Sequence, residues 1–207
     1  MTDERSEATQ TERTVNVALV IERTGAEGPG ERYALWVQGC PMRCAGCCNP
    51  EMLVFRERER RTARDLADEA IAQRSHGVEG VSLLGGEPFS QAEALAEVAE
   101  RVRAAGLSVM VYTGFTIEEL RAQSDPHVDA LLAQTDLLVD GRYERERHST
   151  ARRWIGSDNQ RLHFLTDRYR EDDPRFAAPN TVEIRMKNGR ITINGWPVHG
   201  AKTRLGG

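Results

Sequence analysis

Outside a stretch of nine residues, Cys40 to Cys48, the 207-residue sequence contains no cysteine. A disulfide framework spreads its thiols so that bridges close long loops, and four packed together exclude that kind of stabilisation. Long hydrophobic runs are missing too. None approaches the roughly 18 to 20 apolar residues of a membrane span, and the opening MTDERSEATQTERT lacks the basic, then apolar, layout of a signal peptide. Nor is there a surplus of positive charge. With 28 Lys and Arg against 32 Asp and Glu, and a net charge of -4, the chain carries no electrostatic footprint of a nucleic-acid binder. These absences predict a soluble cytoplasmic protein with neither nucleic acid nor membrane among its partners, and the length suits one sizeable domain. In a reducing cytoplasm, clustered cysteines serve metal binding or redox chemistry.

What is present reads as α/β. After a polar start, expected to be disordered over 1–14, VNVALVIERTGAEGPGERYALWVQGC gives two β-rich runs around a Gly/Pro loop. FRERERRTAR is a charge run with the character of a solvated face. From Thr62 the spacing predicts a helix with Leu66, Ala67, Ala70 and Ile71 on one face and Gly77 at its end. GVSLLGGEPFS is a compact strand, followed by a helix with Leu95, Val98, Ala99 and Val102 inward, a Ser90/Glu93 capping box and Gly106 as its stop. LSVMVYTGF, TDLLVDGRY and RLHFL read as further strands, and Thr116 with Glu119 repeats the capping-box pattern. Alternation of strand and helix predicts βαβ units, a mostly parallel sheet and ligand loops at the C-terminal ends of the strands. TVEIRMKNGRITINGWP breaks the rhythm as a β-hairpin around Asn188-Gly189, expected to cover a sheet edge or, as the alternative, to shape a substrate surface. The domain therefore reads as 15–180, the hairpin extension as 181–198 and a flexible tail as 199–207.

Cys40, Cys44 and Cys47 stand at C-x3-C-x2-C spacing directly after a strand. Soft thiolates on one short loop suit an iron–sulfur cluster, and three of them leave one iron of a 4Fe-4S cluster without a protein ligand. Cys48 adjoins Cys47, too close along the chain to reach the same cluster readily. Zinc and a thiol redox pair at Cys44 and Cys47 are the alternatives, although zinc ordinarily takes two separated ligand pairs and no second pair exists. The five histidines, His76, His127, His148, His163 and His199, show no metal-binding spacing. GGEP, Gly85 to Pro88, closes a strand: its glycines let backbone approach a ligand, Glu87 offers a carboxylate to a cation, and Pro88 favours the start of a helix.

Taken together, these motifs resemble the radical S-adenosylmethionine (SAM) enzymes, and within them the small activating enzymes of glycyl-radical enzymes. The resemblance is closest to the anaerobic ribonucleotide reductase activases and more distant to the pyruvate formate-lyase activating enzymes. It spans about Val17 to Leu165 and includes Gly46 and Asn49 of the cysteine loop. Cys48 departs from it, standing where an aromatic residue or histidine is common. The resemblance implies a partial (βα) barrel of radical SAM type, a 4Fe-4S cluster on Cys40, Cys44 and Cys47, and reductive cleavage of S-adenosylmethionine to a 5′-deoxyadenosyl radical. It further implies that Gly85, Gly86, Glu87 and Pro88 hold the amino end of the cofactor, and that Thr113 and Gly114 of YTG line its pocket. Asp140 and Arg142 of DGR would contact ribose or carboxylate, and Ser157, Asn159 and Gln160 of GSDNQR would serve the adenosine. The implied partner is a glycyl-radical enzyme of the anaerobic ribonucleotide reductase type, with a flavodoxin- or ferredoxin-type electron donor. Modification of a peptide or small molecule is the alternative within the superfamily. A non-enzymatic iron–sulfur sensor or carrier is the alternative outside it. With four cysteines in all, no auxiliary cluster of the kind found in many peptide-modifying relatives can be built, which favours the activase.

Overall fold

The strands of this protein are apolar on both sides, which requires cover on both faces of the sheet. The computed structural model describes residues 12–187 and 189–195. Its elements run β1 (Thr14–Thr24), β2 (Arg32–Val37), β3 (Glu59–Thr62), α1 (Ala63–Ala72), β4 (Gly80–Gly85), α2 (Ala92–Ala104), β5 (Ser108–Tyr112), α3 (Ile117–Ala122), α4 (Pro126–Ala133), β6 (Leu137–Asp140), β7 (Arg161–Phe164), α5 (Pro174–Ala177), β8 (Val182–Lys187) and β9 (Arg190–Gly195). Seven strands form one sheet in the order β3-β1-β2-β4-β5-β6-β7. Its heart, β2, β4, β5 and β6, is parallel, whereas β1, β3 and β7 join antiparallel. β3 and β7 end the order without pairing to each other, so the sheet is open.

Period-2 alternation divides the core in two. Tyr33, Leu35 and Val37 of β2, Val81 and Leu83 of β4, and Val109 and Val111 of β5 pack with Leu66, Leu95, Val98 and Leu120 of the helices. Their neighbours in sequence, Trp36, Leu84 and Tyr112, cluster with Met52 on the other face. The helical face is the larger core, and each fully buried Leu there contributes roughly 1.5–3 kcal/mol. Thr62 caps α1 by accepting from the Asp65 N–H at 3.0 Å, and Gly77 (φ 92°) ends the short 3-10 turn that follows.

Several expectations are corrected. The charge run is not only a solvated face: Glu59–Thr62 pairs with β1 as an edge strand, its charges suiting an exposed edge. α4 and α5 carry too few periodic residues to stand out in the sequence. The Ser90/Glu93 capping box does not form; a 3-10 turn over Pro88–Gln91 intervenes, and Gln91 precedes α2 without a side-chain cap. The Thr116/Glu119 box is present in full. β8 and β9 form the expected hairpin; among the described residues they pair only with each other, adding no strand to the main sheet, and meet the end of β1 through side chains, Arg185 donating to Arg23 O and Glu183 accepting from Thr24 Oγ1–H. Asn188 of its turn, the end of the extension and the expected flexible tail lie outside the described residues, as does most of the expected disordered start; Thr14 already belongs to β1.

The two capping sites give opposite expectations. Thr116→Ala removes a reciprocal cap and is expected to cost about 1 kcal/mol in urea denaturation, whereas Ser90→Ala stays within about 0.5 kcal/mol of the parent.

Candidate functional site

β2 runs straight into the cysteine loop, whose two ends are tied together. Gly39 N–H donates to Met52 O at 2.9 Å, Cys40 N–H to Leu53 O at 3.1 Å, and the Gln38 amide reaches Glu51 O and Val54 O. Inside the loop, left-handed backbone at Arg43 (φ 49°) and Gly46 (φ 79°) folds the chain back, and Cys47 N–H closes a turn on Cys44 O. Cys40 is buried, Cys44 and Cys47 are half-buried, and Cys48 is exposed. All four border one cavity of about 830 Å³, a size suited to a small-molecule cofactor.

The GGEP segment is welded to the root of that loop. Gly86 N–H donates to Val37 O at 2.7 Å and Glu87 N–H to Gly39 O at 2.8 Å. A Cβ at Gly86 would fall 2.2 Å from Gly39 O, and one at Gly85 (φ 109°) 2.6 Å from Val37 N. Only glycine permits this approach. Glu87 is buried, and its carboxylate accepts from Phe89 N–H at 2.9 Å, Thr113 Oγ1–H at 2.9 Å and Gly114 N–H at 2.8 Å. Burial pushes its carboxyl up to about 7, against those three donors, which favour the ionised form.

The chemistry of the donor set fits an iron–sulfur cluster. Three thiols share one loop beside a cavity, and the Asn49 N–H points at Cys47 Sγ at 3.4 Å, a contact that favours thiolate. Burial raises the Cys40 thiol, and the neighbouring Cys48 thiol, followed by burial, raises that of Cys47, so metal binding there must displace protons. Among the described residues no three His, Cys, Asp or Glu side chains converge as for a single metal ion. A cluster places each thiolate on a different iron and needs no such convergence.

Of the residues singled out in the sequence, Cys40, Cys44, Cys47, Asn49, Gly85, Gly86, Glu87, Thr113, Gly114 and Gln160 border the cavity together. Pro88, Asp140, Arg142, Ser157 and Asn159 do not border it. Asp140 accepts from Arg161 and the Ile117 N–H and lies 2.9 Å from His163 Nε2. Burial alone would raise it, but these partners hold it below the usual carboxylate value. Gln160 braces the loop by accepting from Gly156 and Ser157 N–H and donating to Gly141 O, while Asn159 donates to Arg142 O and Ser157 Oγ accepts from Glu144 N–H. Arg142 is exposed.

Sequence reasoning missed Met42, Tyr112, Tyr143, His148, Trp154 and the hairpin residues Ile191, Ile193 and Asn194, which also border the cavity. Tyr112 was findable, because alternation from Val109 and Val111 places it on the face away from the helices. The stretch Tyr143 to Trp154 is largely exposed, as its charges predict, yet Trp154 is buried against Phe176. The hairpin is clasped in place by polar contacts: Glu183 accepts from Thr24 Oγ1–H and Gly25 N–H at 2.8 Å, Asn194 donates to Thr24 Oγ1, and Gly195 N–H donates to Glu27.

Glu87 sets a pH dependence. Its folded value near 7 lies above the ordinary 4.5, so the folded chain holds the proton more tightly, and stability falls as pH rises from about 4.5 to about 7 before levelling. Urea denaturation of the apoprotein is expected to show this drop, on the order of 3 kcal/mol, and Glu87→Gln is expected to lack it. Parallel pH profiles for the two proteins would rule this out.

The 4Fe-4S single cluster domain family matches residues 26–163. Similar curated proteins include the anaerobic ribonucleoside-triphosphate reductase-activating protein of Vibrio cholerae, 34% identical over 67% of this chain and 91% of its own length. Those of Escherichia coli K12, at 31% over 67% and 91%, and of Enterobacteria phage T4, at 30% over 68% and 88%, are similar in the same region. With its cysteine loop and GGEP segment inside the matched span, this chain belongs to the family of 4Fe-4S single cluster proteins that includes the anaerobic ribonucleoside-triphosphate reductase-activating proteins.

Proposed function

We propose that this protein holds one 4Fe-4S cluster on Cys40, Cys44 and Cys47, binds S-adenosylmethionine in the adjoining cavity, and generates a glycyl radical on a partner of the anaerobic ribonucleoside-triphosphate reductase type. The observation that carries this reading is the double backbone tie from Gly86 and Glu87 to Val37 and Gly39, which fuses the GGEP carboxylate site and the cysteine loop into one wall of the cavity. Names and reach of the relatives support the partner class. The open sheet, parallel at its centre, is compatible with a partial (βα) barrel of radical SAM type.

Bound there, cluster and cofactor supply a reducing electron and an oxidant strong enough to take a hydrogen atom from a C–H bond. The chain's own residues bind, orient and shield. Three thiolates hold the cluster. Glu87, buried and fixed by three donors, faces a cationic amino group at the price of little reorganisation, while Gly85, Gly86 and Gly114, by lacking side chains, let β2 and the cysteine loop pack close beside it. Asn49, Thr113 and Gln160 offer polar contacts along the same wall, and Trp36, Leu84 and Tyr112 keep its floor apolar. Pro88, Asp140, Ser157 and Asn159, with the backbone carbonyl of Arg142, hold the loops after β4 and β6 and before β7 in place. The electron donor in this reading is of flavodoxin or ferredoxin type.

The test is release of 5′-deoxyadenosine from S-adenosylmethionine by anaerobically reconstituted, reduced protein. Release that disappears in Cys44→Ala is the expected outcome. Absence of release from protein shown to carry a reducible cluster, with a reductase partner supplied, would count against it.

A further inference from the structure

The turn joining Cys44 to Cys47 carries a cation on its outside. A Cβ built at Gly46 would sit 2.7 Å from Arg145 Nε and 3.0 Å from its Nη2, so the guanidinium lies directly against the backbone of this turn. Glycine is needed there both for its φ of 79° and for room. Arg145 opens the 3-10 turn Arg145–Arg147, which is held by Glu144 N–H on Ser157 Oγ and by Arg147 on Asp158. The two arginines differ in what they face. Arg147 pairs with Asp158 at 2.6 Å and Glu144 at 3.7 Å, whereas among the described residues no carboxylate lies within ion-pair distance of Arg145. Burial raises the Tyr143 phenol, which borders the cavity, and the charge of Arg145 acts against that rise.

We propose that Arg145 sets the reduction potential of the cluster held by Cys40, Cys44 and Cys47, acting through the Cys44–Cys47 turn as an uncompensated positive charge. The inference rests on the functional reading above. A 4Fe-4S core on three thiolates carries net negative charge and gains one more on accepting a single electron from a low-potential one-electron reductant; no covalent bond is made or broken. A fixed cation beside the thiolates favours the more negative, reduced form. Arg145 is exposed, so solvent and salt screen it, and its effect on the reduction equilibrium is expected to be about tenfold, or about 59 mV for one electron.

The experiment compares midpoint potentials from EPR-monitored dithionite titration of anaerobically reconstituted full-length protein without S-adenosylmethionine, each sample checked for iron and sulfide content. Arg145→Gln is expected to be reduced about tenfold less at a fixed potential, Arg145→Lys to stay close to the parent, and Arg147→Gln, whose charge is already neutralised, to leave the midpoint unchanged. Raising the salt concentration is expected to narrow the gap between the parent and Arg145→Gln. An unchanged midpoint in Arg145→Gln overturns the proposal, as does an equal shift in Arg145→Lys, which would trace the effect to shape. Failure of both Arg145→Gln and Arg145→Met to take up a cluster would assign the residue to assembly and overturn it too. Parent protein that takes up no cluster would take down the functional reading itself, and is recognised before any variant is compared.

Discussion

Two backbone hydrogen bonds, from Gly86 to Val37 and from Glu87 to Gly39, fix the arrangement on which the remaining site depends. They continue the parallel pairing of β2 and β4 one step past the strands, into the segment where one chain turns into the cysteine loop and the other into the helix. Side chains at 85 and 86 would drive the two apart, since their Cβ atoms would meet backbone, which cannot swing away. The position of three thiols relative to a buried carboxylate is thus set by main chain. Such a site is rigid before any ligand arrives, which lowers the cost of ordering one.

The same two strands divide labour between their faces. Tyr33, Leu35, Val37, Val81, Leu83, Val109 and Val111, at odd positions of β2, β4 and β5, are committed to the helices, whereas Trp36, Leu84 and Tyr112, at even positions, border the cavity. Stability and binding are therefore served by alternate positions of one strand. A one-residue slip of β4 would exchange the sets, and the glycine contacts at its end hold that register as firmly as the core does.

Much of this was legible in the sequence for physical reasons. Continuous apolar strands bounded by glycine, i, i+3, i+4 stripes on α1 and α2, and the Thr116/Glu119 box are local signals, and the structure agrees with each. C-x3-C-x2-C and GGEP declared ligand chemistry, though their contact through Gly39 is long-range and no local pattern encodes it. Asp140 illustrates the limit. The resemblance implies a cofactor contact for this carboxylate at a strand end, while the partners that occupy it, Arg161 and His163, lie on another strand. Ser90 shows the converse: the right residue at the right spacing goes unused because Pro88 starts a tighter turn first. The edge strand β3 was hidden by its charges, which mark an exposed edge as well as a solvated face.

The clasped hairpin alters how the cavity relates to the family as a whole. Ile191, Ile193 and Asn194 close one side of it, yet they lie beyond residues 26–163, the span that matches the family. Ile184 and Met186, 70% and 79% exposed, lie opposite Ile193 and Ile191 across the hairpin and so extend the same apolar face outward. That side of the cavity is thus built from a different stretch of chain than the cysteine loop and the GGEP segment. A change of side chain at Ile191 or Ile193 can therefore alter the shape and polarity of the cavity without touching the thiols, the glycine pair or the carboxylate.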